Sequence, residues 1–357
     1  ANVTVIERDT LAAEASGAAA GMLAALSDEG GDRGPQFQRL CLDSLKLYQS
    51  LIPELEATGV DLRYHSSGVL HLALTEDEAR GLRERFEAQR ELAPDNRWLE
   101  GADLRAEEPH ANPKAVAALL SPNEHYLDPK RLVEALATAA KNLGVTFKTG
   151  ETVLDFRVDG PVVRGVRTSA GSYDTDDVLI AAGAWTDTLT RDLGVSVPVR
   201  PVRGQMIALR GPATPLRHVI WGKAGYLVPR EDGQTFVGAT VEEAGFDKTN
   251  TAEGIAALRR AAADLVPELA TAEQIRAWAG FRPATPDSLP VLYVLPGWAN
   301  AWGATGHFRN GILLAPITGK LLASSIRSAW PDRKLAPFSA WRFRERELEE
   351  QLQAGAV

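Results

Sequence analysis

The chain has 357 residues, of which 45% are hydrophobic, 24% charged and 7% aromatic, a profile that excludes a disordered or fibrous protein. Lysine and arginine total 39 against 47 acidic residues, a formal net charge of −8 without any basic block, which excludes a general binder of nucleic acid or anionic membrane. The lone cysteine, Cys41, excludes an internal disulfide framework and a cysteine-built zinc or iron–sulfur site, and no apolar run reaches the roughly 18 residues of a membrane span.

Val3-Thr4-Val5-Ile6 is a β-branched run of the kind expected in a strand buried on both faces of a parallel sheet. It ends in Glu7-Arg8-Asp9, charges that also interrupt any resemblance to a signal peptide, so the expected location is the cytoplasm. In dinucleotide-binding folds an acidic residue at the end of the second strand, about 20 residues after the glycine fingerprint, grips the ribose hydroxyls. Glu7 fits that role or is a solvated residue on an edge strand. No G-x-G-x-x-G precedes it, and neither Gly30-Gly31 nor Gly17 with Gly21 follows a strand at that spacing. The sequence therefore reads as beginning in mid-unit, without a first strand, phosphate turn and helix, and weak or no dinucleotide binding is expected of a chain lacking them.

The small residues from Ala15 to Leu23 permit close approach of a ligand to the backbone, or form a linker or an alanine-rich helix start. Apolar spacing predicts a helix over Phe37–Leu55 that buries Cys41. Asp128-Pro129 opens another, with an N-cap and a first-turn proline, and Gly144 closes it. Strands follow at Val145–Lys148, Thr152–Val158 and Val162–Thr168, the last two joined across Asp159-Gly160. Asp177–Ala181 is a buried-type strand running into Ala182-Gly183-Ala184-Trp185, a glycine at the carboxyl end of a strand where α/β sheets bind ligands. From about 196 to 281 the strand-like runs Gly204–Leu209, Gly225–Pro229, Thr235–Val241 and Ile275–Ala279 surround one helix, Thr251–Leu265, and Gly68–Leu74 is expected to join them. The tail Glu345–Gln351 reads as a solvated helix face.

This pattern predicts an α/β protein: a discontinuous, N-terminally incomplete dinucleotide-binding (Rossmann-like) domain over 1–62, 121–195 and 282–345, interleaved with an α+β substrate domain over 63–120 and 196–281 built on an antiparallel sheet. Three segments carry chemistry. Gly225–Arg230 places Tyr226 in a strand; Trp278–Asp287 places Arg282 at a strand end; Gly303–Ile312 is a glycine-punctuated loop opening a helix near Leu313. Helix N-termini attract electron-rich groups, and a guanidinium fork suits a carboxylate, although each arginine alone is also compatible with a surface ion pair. His65, His71, His110, His125 and His218 are scattered without metal-ligand spacing, so no metal is expected.

Taken together, Ala18–Leu23, Tyr226–Arg230, Val237–Thr240, Gly280–Pro283 and Gly306–Gly319 resemble the D-amino-acid oxidase family of flavoproteins, and within it the bacterial glycine oxidases of thiamin biosynthesis, from Val3 to about Phe343. The resemblance implies non-covalent FAD, with Glu7 and Arg8 at the ribose, Ser16, Gly17, Ala20, Gly21 and Met22 beside the flavin, and Val153 near the adenine. It further implies Gly183 and Trp185 lining the cofactor, and Gly306, His307, Phe308, Arg309, Asn310, Gly311 and Ile312 offering N–H groups to the flavin edge. For substrate it implies Arg282 and Tyr226 on a carboxylate, with Arg309 close by, and oxidation of glycine or a small amine to the oxo acid with peroxide from dioxygen. A sarcosine- or proline-type enzyme using another electron acceptor, and a flavin-free remnant, are the alternatives; a homo-oligomer stays open. The sequence departs from the family pattern at Ser288, Leu292-Tyr293 and Ala224, which bears on substrate identity more than on reaction class.

Overall fold

The computed structural model describes residues 2–27 and 33–344; the Gly30-Gly31 pair and the helix expected at 345–351 lie outside the described residues. Helices and strands interleave in a mixed α/β arrangement. Its largest sheet has eight strands in the spatial order Gln274–Ala284, Arg200–Arg210, Gln234–Gly238, Gly225–Pro229, Val219–Gly222, Val69–Ala73, Ala117–Ser121 and Arg97–Leu99. It was expected to be antiparallel and is mixed, because Val219–Gly222 runs parallel to Val69–Ala73. A parallel pair needs a long crossover, and the chain between these two strands supplies one.

Alternation along the strands gives this sheet two apolar faces. Ile207, Leu209, Leu227 and Val237 pack with Leu258, Ala262 and Leu265 of the helix Ala252–Leu265, which Thr251 caps by accepting from the Gly254 N–H. Met206, Val228, Val219 and Val69 face the other way, where Ala20, Ala24 and Tyr126 cover them. That second face carries the candidate site.

Two smaller sheets contain the parallel pairs typical of nucleotide-binding proteins. Thr4–Glu7 pairs with Thr146–Thr149, and Val178–Ile180 pairs with Ala301–Thr305. The first strand was expected to be buried on both faces. Instead Thr4 is exposed and Val5 and Ile6 are half-buried, because among the described residues Thr4–Glu7 pairs along one edge only. The Asp159-Gly160 hairpin joins Val153–Asp159 to Val162–Thr168 as the turn chemistry requires.

The helices Gly34–Glu56, Pro129–Asn142 and Gly311–Ser328 share one core through Leu40, Cys41, Tyr48, Leu132, Leu314 and Ile317. Asp128 caps the second of them on the Lys130 and Arg131 N–H groups. Ser44 and Tyr48 donate their hydroxyls to the carbonyls of Leu313 and Ile312 at 2.6 and 2.5 Å, which fixes the first turn of the third. Among the described residues no helix is long and apolar enough to cross a membrane.

Candidate active site

Tyr226 and Arg282 come from different strands, and two glycines bring them together. Tyr226 lies directly opposite Gly238, and Arg282 lies two residues beyond Gly280, which is opposite Gly204. A Cβ on Gly238 would stand 2.5 Å from the Tyr226 hydroxyl, and one on Gly204 would stand 2.5 Å from the Arg282 guanidinium. The missing side chains let both functional groups lie flat across the sheet. Arg282 donates from Nη1 to the Thr240 carbonyl at 2.9 Å and hydrogen-bonds the Tyr226 hydroxyl.

Burial raises the Tyr226 phenol above its ordinary range, against the pull of the Arg282, Arg309 and Arg230 charges. The phenol therefore stays protonated and can donate, while three guanidinium groups give its surroundings a positive field. Arg309 stands over the Phe308 ring at 5.3 Å, at the outer edge of this group.

The expected flavin-side segment forms one short helical turn, Ala15–Ala18, followed by an extended strand, Met22–Leu23. Gly17 and Gly21 are required by packing: added Cβ atoms would lie 1.9 Å from the Ala12 carbonyl oxygen and 2.0 Å from that of Leu127. Ser16 lies in the helical turn, and Met22 pairs with Tyr126. Ala18 packs onto Gly280, and Trp278 donates its indole N–H to the Ala18 carbonyl at 3.0 Å. Ala20 is buried, and its carbonyl accepts from Arg230 Nη2 at 2.7 Å while Arg230 Nη1 reaches the Leu127 carbonyl at 3.1 Å. The sequence contains Arg230 within the Tyr226–Arg230 motif, but nothing in it announces that this cation is buried as a clamp.

Glu7 ends the first strand, and its carboxylate accepts from the Asp9 N–H at 2.8 Å. Arg8 lies over the Trp185 indole at 4.4 Å, and Trp185 stacks on Phe246 at 4.8 Å. Gly183 has φ +53° with open space at its Cβ position, and its carbonyl accepts from the Thr305 hydroxyl at 2.8 Å. Val153 opens its strand opposite Thr168, in a different sheet from Tyr226 and Arg282.

In the loop before Gly311–Ser328, Gly306 and Phe308 adopt φ +72° and +48°, and Phe308 N–H bonds to the Pro283 carbonyl at 3.0 Å. Asn310 stands at the N-cap, its side-chain oxygen accepting from Arg33 at 2.8 Å, so Gly311 and Ile312 present first-turn N–H groups. His307 is held neutral: burial brings its pKa down to about 4, and Nε2 meets the Thr318 hydroxyl at 3.1 Å. The open backbone at Gly183, the carboxylate of Glu7 and the N–H groups opening the last helix fit the ribose and ring ends of a flavin dinucleotide.

A cleft of about 620 Å³ shares Ala18 and Trp278 with the edge of the site but is lined by Thr10, Lys130, Thr138 and Arg276 and does not reach Tyr226, Arg282 or Arg309. Among the described residues no group of three His, Cys, Asp or Glu could hold a metal ion. Sequence reasoning missed the roles of Gly204, Gly238 and the Trp221–His71 pair beside Tyr226, which depend on cross-strand register, and that of Arg230, which depends on carbonyls distant in the chain.

A sheet face carrying Arg282 and a protonated Tyr226, set against small-residue segments and a helix start, accords with the flavin-dependent oxidoreductases, the class that the family comparison assigns. The family described as FAD dependent oxidoreductase matches residues 1–325, and the chain belongs to it. It is 36% identical over 345 residues to glycine oxidase of Geobacillus kaustophilus strain HTA426, covering 95% of this chain and 90% of that protein. The crystal structure of glycine oxidase from Geobacillus kaustophilus superposes with a TM-score of 0.89 at 34% identity, over 95% of this chain and 91% of that one. The bifunctional protein ThiO/ThiG of Trichormus variabilis is 37% identical over 348 residues, which span 96% of this chain and 52% of that longer protein.

Proposed function

We propose that this oxidoreductase oxidises glycine or another small amino acid or secondary amine, releasing the oxo acid with ammonia, or with a primary amine where the substrate is a secondary amine, and giving hydrogen peroxide. The observation that supports this reading is the pairing of Arg282 with the Tyr226 hydroxyl on one sheet face, within the field of Arg309, in a chain similar to glycine oxidases. Arg282 and the Tyr226 hydroxyl take the substrate carboxylate, and so hold the α C–H in one orientation. Bulky groups at the anchor leave little room for a side chain.

FAD, when bound, would supply the two-electron acceptor chemistry that amine oxidation requires. Glu7 and Arg8 would hold its ribose, Ser16, Gly17, Ala20, Gly21, Met22, Gly183 and Trp185 would line it, and the N–H groups of Gly306–Ile312 would meet the ring edge, with Val153 near the adenine. His307 contributes backbone rather than a base, since its imidazole is occupied by Thr318. No side-chain base is required when the amine arrives neutral, and water hydrolyses the imine.

The test is peroxide formation by the FAD-supplemented chain with glycine, sarcosine, proline and D-phenylalanine. Glycine or sarcosine should give the highest specificity constants; preference for D-phenylalanine would overturn the small-substrate reading. Dye reduction without peroxide would retain amine oxidation and change the acceptor.

A further inference from the structure

We propose that Trp221 is the specificity-determining wall of the substrate pocket and that His71 is the residue that positions it. The inference rests on the reading that Tyr226 and Arg282 hold a small carboxylate. One cross-strand row runs Trp278, Met206, Gly238, Tyr226, Trp221, His71, each residue directly opposite the next. Directly paired residues point to the same face of a sheet, so the indole stands beside the carboxylate anchor. The Trp221 and Tyr226 rings are 5.5 Å apart and tilted by 55°.

Trp221 differs from the neighbours that merely fill space. Ile220 and Leu70 beside it are fully buried, whereas Trp221 is half-buried at the rim of the apolar cluster that also includes Met22 and Ala239. Its indole N–H has no acceptor among the described residues, while Trp278, in the same row, donates to Ala18. A large flat side chain with one open face next to the anchor competes for space with any substituent on the carbon or nitrogen that follows the carboxylate.

His71 fixes where that face lies. Its ring stacks on Trp221 with centroids 5.5 Å apart and planes 23° from parallel. His71 is buried, and Nε2 is 2.6 Å from the Ser27 hydroxyl, which donates to the Glu124 carboxylate. Glu124 also accepts from the Leu26 and Ser27 N–H groups at 2.7 and 3.2 Å. With the serine proton committed to Glu124, its oxygen accepts from His71 Nε2–H, and the imidazole plane is set. An aliphatic residue would occupy the space without fixing a plane.

The experiment compares wild type, Trp221→Ala, Trp221→Phe, His71→Leu and His71→Gln as full chains supplemented with FAD. Acetate and phenylacetate affinities are measured by calorimetry, together with turnover of glycine. Trp221→Ala should improve phenylacetate binding relative to acetate by about tenfold or more, with Trp221→Phe between. His71→Leu should move the same ratio in the same direction, and His71→Gln, which keeps a donor toward Ser27, should return it toward wild type. An unchanged ratio in Trp221→Ala, or equal losses for both acids in His71→Leu, would overturn the proposal. Trp221→Leu replaces the alanine variant if that does not fold. Should glycine not turn over while acetate binds, the amine-oxidase reading fails and the affinity ratio still decides the wall; absence of acetate binding by wild type overturns both.

Discussion

A guanidinium and an ammonium carry the same charge, so Arg282 separates shape from electrostatics. Arg282→Lys keeps the charge and loses the fork, and the apparent KM for the amine substrate should rise about tenfold or more. Unaltered kinetics in that variant would remove Arg282 from the carboxylate site. Tyr226→Phe should act in the same direction, since one hydrogen bond to a charged group contributes on the order of 1.5–3 kcal/mol. The buried histidines make a separate prediction. Burial lowers the His307 pKa from 6.5 to about 4, and burial lowers that of His71 as well. Between those values the unfolded chain binds more protons than the native one, so stability is lost as pH falls from about 6.5 toward 4. Urea midpoints measured across this range should decline, and those of His307→Asn should decline less. Arg282 and Tyr226 were legible as candidates because each sits in a short distinctive motif. The clamp of Arg230 and the Ser27–His71–Glu124 network were not, because burial of a polar group depends on partners distant in the chain.

The turn over Ala15–Leu23 depends on backbone contacts that tolerate almost no added volume. Gly21 has φ +86° with the Leu127 oxygen 2.0 Å from its Cβ position, so Gly21→Ala combines strain with a backbone clash. It should cost on the order of 3 kcal/mol or more, measurable by denaturant melts, and should shift the Ala20 carbonyl away from Arg230. Arg230→Met should leave two carbonyls unpaired at about 1–3 kcal/mol each. Elements with strong end signals were legible: Asp128-Pro129 and Thr251 begin helices where expected. The helix Glu76–Ala88 was not, because only Ala79 and Leu82 are buried and no apolar stripe shows. The parallel register of Val219–Gly222 was also illegible, since alternation looks the same in either strand direction. Half-burial of the first strand was misjudged because β-branched composition reports propensity rather than the number of paired edges.

The site draws on nearly the whole length of the chain. Ala18 meets Trp278, Ala20 meets Arg230, and Arg33 meets Asn310, each across more than 200 positions. A second set of ties runs through Arg203, which is buried and bonds Glu242, Asp247 and the Thr249 carbonyl. These hold the segment bearing Phe246, whose ring stacks on Trp185, while Lys248 pairs with Glu14 at 2.5 Å. Such cross-links oppose independent melting of the sheet and the helical core. Unfolding followed by tryptophan fluorescence and by far-ultraviolet circular dichroism should therefore give coincident curves, and separated midpoints would show two independent units.

The bond between Arg33 and the cap of the last long helix also bears on how the molecule is made. Arg33 leaves the ribosome early, and its partner Asn310 leaves late. At ordinary elongation speeds the interval is roughly 15–60 s. Until Arg230 and Trp278 have followed, the Ala15–Leu23 segment lacks the carbonyl clamp and the tryptophan that hold it in the finished protein. A translating ribosome stalled before residue 230 should carry a chain whose early segment is open to protease, and release of the full length should close it.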